Sequence, residues 1–189
     1  WDEMLREPKP DIESKFMTGA WHYGRALAYT HTDRIVEARR ELGLLTKKRQ
    51  AMEELEHYIG FSTAGKLLTI AEEIVLGEIT HAEGNLLEGL AHLERAVRIE
   101  DSLLYSEPPD WYFPVRHFLG AMLLDAGRAS EAEVVYAADL RKNPENGYSL
   151  FGLKTALEQQ GKGGDAKSVM ARYEKSWAKA SHVLTTSRF

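Results

Sequence analysis

There is no cysteine in the 189 residues, so disulfide frameworks and thiolate metal sites are excluded, and the redox compartment stays open. Proline is scarce: its six copies stand at 8, 10, 108, 109, 114 and 144, leaving long stretches without a helix breaker. No apolar run approaches the roughly 20 residues of a membrane span. A basic stripe is also missing. Lys and Arg number 24 against 29 Asp and Glu, both signs are interspersed, and the net charge is −5, which argues against a nucleic-acid partner. The one basic cluster, Lys47-Lys48-Arg49, reads as a solvated helix face or end. There is no His-Glu-x-x-His, no Gly-x-Ser-x-Gly and no phosphate-binding glycine loop. Gly161-Lys162-Gly163-Gly164 lacks the following Lys-Ser/Thr and reads as a turn between helices. Nothing nominates a nucleophile, so the expectation is a non-enzyme without a cofactor. The chain begins at Trp1 with no signal-peptide pattern before it. It is therefore expected to be an excised or processed piece of a longer protein. It should be soluble and either cytoplasmic or periplasmic, with any targeting segment out of view.

What the chain does have is helical periodicity, with strand alternation almost absent. After a lead-in ending at Pro10, a helix is expected from about Asp11 to His31, and a second, capped by Thr32 or Asp33, to about Leu45. Met52, Leu55 and Tyr58 suggest a further helical turn or two ending at Gly60. From Leu67 to Ile79 apolar residues recur three and four apart, so one face is buried. Gly84-Asn85 stops that helix and starts another, which runs to about Leu104. Ser106 to Asp110 holds two prolines and cannot be helical throughout; Asp110 then caps a helix with Pro114 in its first turn. Ser130-Glu131-Ala132-Glu133 reads as a capping box. Asn143-Pro144 separates the next two helices, and Gly161 to Gly164 turns into a last helix from about Asp165 to Ala180. Thr185 to Phe189 reads as a tail.

The chain also matches itself at a spacing of 34 residues. Gly127 pairs with Gly161, Ala132 with Ala166, and Leu119 and Leu123 with Leu153 and Leu157. A helix–turn–helix repeat of that length is the mark of a tetratricopeptide array. Leu119-Gly120, Ala132, Tyr136 and Pro144 fall at that repeat's offsets. The next unit keeps Leu153, Ala166 and Met170 but places Lys154 where the glycine would be. Leu76-Gly77, Gly89, Leu93 and Ala96 make a third match; Ala26, Tyr29, Ala38 and Leu42 make a weaker fourth. On these residues the chain resembles a tetratricopeptide-repeat protein, most strongly over residues 70–178. The run from Glu107 to His117, followed by Asn143 to Gly152, is similar to the C-terminal part of a group of large bacterial proteins of this class, and supplies no activity.

The resemblance implies an all-α, right-handed solenoid of about four helix pairs. Residues 1–66 would form an irregular helical region with a degenerate repeat. Residues 67–189 would carry the repeats, continuous with it, closed by a capping helix around Trp177 and a tail. The resemblance also implies a concave groove that holds a peptide or protein partner. Its groove-facing positions here are Tyr23, His31, Glu78, His81, His117, Tyr148 and Phe151. Tyr148 and Phe151 fit packing against the terminal helix equally well, and Trp111 and Trp177 read as core or loop anchors.

Two other readings stand beside the groove. Glu54/His57 and Glu78/His81 are Glu-x-x-His pairs, a spacing used in di-iron bundles, but chance alone yields about one such pair here. His22, Arg25, Glu78, His81 and His117 are the residues that a small ligand or metal would use. The third reading is self-association into a homo-oligomer. Membrane insertion is not expected.

Overall fold

Helices form where apolar residues recur three and four apart, and breaks between them fall at Gly84, at Pro108-Pro109, at Gly127, at Pro144 and at Gly161. The protein is described here by a computed structural model covering residues 1–11, 13–53 and 57–188. Nine helices are found among the described residues: α1 (Asp2–Arg6), α2 (Lys15–Thr30), α3 (Ile35–Glu53), α4 (Ala64–Ala82), α5 (Leu86–Asp101), α6 (Val115–Asp125), α7 (Ala129–Lys142), α8 (Gly147–Gln159) and α9 (Gly163–Trp177). A two-stranded antiparallel hairpin, β1 (Tyr58–Ile59) and β2 (Ser62–Thr63), lies between α3 and α4, pairing Tyr58 with Thr63 and Ile59 with Ser62. No helix among the described residues is long and apolar enough to cross a membrane.

The chain divides into two compact units, Trp1–Tyr112 and Phe113–Phe189. In the first, α2 packs on α3, α3 on α4 and α4 on α5, with α1 and β2 laid against α2 and α4. In the second, α6 packs on α7, α7 on α8 and α8 on α9. The protein is thus all-α in architecture, built from successive helix pairs. Its cores are apolar: Leu27, Leu67, Ile70, Ile74, Ile79 and Leu93 are fully buried in the first unit, and Phe118, Met122, Tyr136 and Leu150 in the second. Burying each such side chain contributes about 1.5–3 kcal/mol of transfer free energy. The small residues predicted at close helix crossings are at crossings. A Cβ on Gly77 would lie 3.1 Å from the Gly89 carbonyl oxygen, and one on Gly89 would lie 3.0 Å from that of Gly77. There α4 and α5 meet backbone to backbone.

Several local expectations change. The short helix α1 has no sequence periodicity to announce it. The α2 helix starts at Lys15, where the Ser14 hydroxyl accepts from the Met17 amide, a cap worth about 1 kcal/mol. The α3 helix runs on to Glu53, and Tyr58 lies in a strand rather than a helical turn. The cause is Gly60, whose φ of +61° opens a two-residue hairpin turn before Phe61. Leu55 and Glu54 lie outside the described residues. There is no capping box at Ser130, because α7 begins one residue earlier. Arg128 occupies the cap position without capping a backbone amide through its side chain; its guanidinium instead binds the Glu131 carboxylate at 2.5 and 2.7 Å. Asp110 does not cap α6, whose N-cap is Pro114. Its carboxylate instead accepts from the Phe61 amide at 3.1 Å and from the Ser106 hydroxyl at 3.0 Å, tying the hairpin to the 102–112 loop. The last helix starts at Gly163, so both glycines of the expected turn lie in its first turn.

Candidate functional site

Each unit gathers part of the predicted groove set. In the first, Tyr23 and His31 come from α2, and Glu78 and His81 from α4. Tyr23 is 4% exposed; its ring stands edge-on to Trp111 at 5.7 Å. Burial, then the nearby Tyr112 and Glu78, push its hydroxyl well above the usual tyrosine range. Glu78 is 2% exposed, and the His31 Nε2 lies 3.3 Å from its Oε2. The other side of the His31 ring stacks on Trp1 at 4.7 Å and 4°. The half-buried His31 therefore joins the buried Tyr23 and Glu78 in one cluster. His81 is half-buried beside Gly89 of α5, and its buried Nδ1 has no hydrogen-bond partner among the described residues.

His22 and Arg25 also have a defined partner. His22 Nδ1 lies 2.6 Å from Glu41 Oε2, and Arg25 Nε donates to Glu41 Oε1 at 2.9 Å. Arg25 further donates to the Leu5 carbonyl and the Tyr29 hydroxyl. The same pattern recurs with the helices exchanged: His92 and Arg95 of α5 hold Glu73 of α4, at 2.7 and 3.2 Å. In each case a His-x-x-Arg pair, one turn apart on one helix, grips a carboxylate on the helix it packs against. Ligand-site chemistry read from His22 and Arg25 is thus taken up in holding α2 to α3. Among the described residues no group of three His, Asp or Glu could hold a metal ion.

In the second unit His117 is fully buried on α6 and Tyr148 half-buried on α8, their rings stacked at 5.5 Å. Phe113 stands edge-on to both, and Trp177 of α9 edge-on to Tyr148. Phe151 packs on Tyr173 of α9 at 5.8 Å. Both Tyr148 and Phe151 thus contact the terminal helix. His117 Nε2 lies 3.3 Å from Oδ2 of Asp139, a carboxylate 1% exposed on α7. Ser149 of α8 donates to the same oxygen at 2.5 Å, and Asn143 donates to Oδ1 at 2.9 Å. Burial alone would raise the Asp139 pKa. The bond and charge of His117, with the Ser149 and Asn143 bonds, outweigh it and hold the carboxyl below its ordinary value. Ser, His and Asp meet here, but the serine hydroxyl is spent on the carboxylate rather than the imidazole. The arrangement braces three helices and activates no nucleophile.

A second feature of this unit went unread in the sequence. The Tyr136 side chain of α7 is fully buried between Gly120 of α6 and Gly152 of α8. A Cβ on Gly120 would lie 2.3 Å from its Cζ, and one on Gly152 at 2.2 Å. Two backbones cannot stand that close on one side of the same atom, so the ring passes between the two helices. Its hydroxyl emerges against the segment that follows α9. There Ser187 is 2% exposed; its Oγ lies 2.5 Å from the Tyr136 hydroxyl and donates to the His117 carbonyl at 3.1 Å. Leu184 is 7% exposed, Arg188 donates to Asp125 of α6 at 2.8 Å, and the His182 carbonyl accepts from the Trp177 indole at 2.8 Å. The stretch from Thr185 onward, read only as a tail, is therefore held against α6 and α7 through Ser187 and Arg188, while His182 is tied to Trp177 of α9. The signal for it was the pair Gly120 and Gly152 flanking an aromatic position. The 34-residue offset pointed instead to Lys154.

No family model matches the chain, and no curated protein or solved structure matches it significantly.

Proposed function

We propose that the protein is a non-catalytic interaction module of the tetratricopeptide kind, whose helix pairs hold a peptide or protein segment. The observation that carries this reading is the second unit's grip on residues 182–188. That stretch has no helix or strand of its own, yet it buries the Leu184 and Ser187 side chains and makes side-chain bonds to α6 and α7 through Ser187 and Arg188. Holding an irregular segment on a helical face is the physical act that peptide recognition requires. The glycine–glycine crossing of α4 and α5 and the repeat offsets around Gly120 and Ala132 support the tetratricopeptide assignment. The predicted groove residues Tyr23, Glu78 and His117 are buried and serve to position the helices. His31, His81, Tyr148 and Phe151 retain partial exposure.

The test is selection of a displayed library of short linear peptides on the intact chain, followed by hydrogen exchange with a selected peptide bound. The expected result is protection of the α6 and α7 amides. A library that yields no binder, or protection confined to α3 or α9, refutes the proposal.

A further inference from the structure

The face of α6 and α7 that holds residues 182–188 has a chemical pattern of its own. It offers the Tyr136 hydroxyl, the His117 carbonyl and the Asp125 carboxylate in sequence along one contact. The first two together suit a small side chain that can both donate and accept. The third suits a cation directly after it. Ser187-Arg188 satisfies all three, and Leu184 supplies an apolar anchor three residues before the serine.

Resting on the peptide-binding reading above, we propose that residues 182–188 are an intramolecular stand-in for the ligand. The site accepts a segment of a partner protein with the pattern Leu-x-x-Ser-Arg, and the chain's own copy must leave before that partner binds. The geometry explains why the hydroxyl is required. Tyr136 reaches the site only through the gap left by Gly120 and Gly152, and there its hydroxyl is bonded to Ser187. A larger residue at the serine position has no room, and one without a hydroxyl leaves Tyr136 bare. Arg188 is the component that can vary: its side chain is 13% exposed, but Asp125, which it meets, is half-exposed at 50%. Nine residues separate Trp177, the last of α9, from Ser187, so the internal copy competes at an effective concentration of about a millimolar. A resident segment of ~100 μM intrinsic affinity then weakens any partner peptide about tenfold.

The experiment titrates a labelled synthetic peptide of residues 182–188 into the native chain and into the full-length Ser187→Glu variant, following fluorescence anisotropy. In the variant, the glutamate cannot occupy the buried position and the internal copy is displaced. The expected result is binding about tenfold tighter to the variant than to the native chain, abolished when the peptide's own serine is replaced by glutamate. Arg188→Glu opposes two carboxylates at the exposed end and makes the same comparison without burying a charge. It decides the matter if Ser187→Glu fails to fold. Equal binding to native and variant chains, or no binding to a folded variant, overturns the proposal. In that case a library peptide of different pattern that still protects α6 and α7 leaves the interaction-module reading standing; absence of any such peptide removes both.

Discussion

Replacing Gly120 by alanine tests the packing around Tyr136 directly. In an ordinary helix interior this change stabilises by about 1 kcal/mol, since alanine restricts the unfolded chain and glycine does not. Here the added methyl would stand 2.3 Å from Tyr136 Cζ, 2.6 Å from Cε1 and 2.7 Å from the hydroxyl oxygen. The ring cannot retreat, because Gly152 closes its other side with no methyl-sized gap. Overpacking of this kind costs about 1–3 kcal/mol, and two-sided confinement places it at the upper end. The net expectation for Gly120→Ala is destabilisation by about 2 kcal/mol, read from urea unfolding at constant m-value. The decisive measurement is the same substitution in a Tyr136→Leu background. With the ring gone the clash vanishes and only the helical gain is left, so alanine should stabilise by about 1 kcal/mol. The coupling between the two positions should thus be about 3 kcal/mol. A neutral or stabilising Gly120→Ala in the native background, or the same effect in both, would refute the account of Tyr136 and with it the reason its hydroxyl meets Ser187.

Two further outcomes follow from other parts of the structure. Asp139→Ala should destabilise by about 3 kcal/mol, because it strips His117, Ser149 and Asn143 of a shared buried acceptor. Since the folded carboxyl sits below its ordinary value, its contribution is complete above the unfolded pKa of about 3.9 and fades as pH falls through the folded one. The variant's acid-unfolding curve should therefore be shallower below about pH 4 than the native one. Asp110→Ala should leave the helices intact but release the hairpin from the 102–112 loop, so the Phe61 amide should lose its hydrogen-exchange protection while the amides of α4 keep theirs; unchanged protection at Phe61 would show that Asp110 does not hold it.

The helices were legible because burial of one face imposes a period that a sequence records. Leu67 to Ile79 announces α4 in that way, and Gly84 and Pro144 mark breaks that the structure keeps. The hairpin at 58–63 was not legible: two strands of two residues each carry no period, and only the left-handed Gly60 signals a turn. Asp139 was passed over because a carboxylate on a helix normally reads as solvated. Its burial depends on His117 of α6 and Ser149 of α8, which no local pattern brings to it. Ser187 was missed for a related reason. Nothing within ten residues of it explains its burial, and its bonds run to Tyr136 and His117, 51 and 70 positions away. Conversely, His22 and Arg25 were read together as ligand chemistry without their partner, Glu41, which stands 19 and 16 positions on and joins them in a clamp.

The aromatic ring lodged between two glycines also constrains how this sequence can change over generations. Neither Gly120 nor Gly152 can gain a side chain while Tyr136 is present, but once that tyrosine is replaced by a smaller residue both become free to drift. Ser187 then loses the neighbour that favours a hydroxyl. The four positions form an ordered lineage of substitutions that opens only at 136, and descendants that take that first step have little route back, because any methyl acquired at 120 or 152 bars the tyrosine's return.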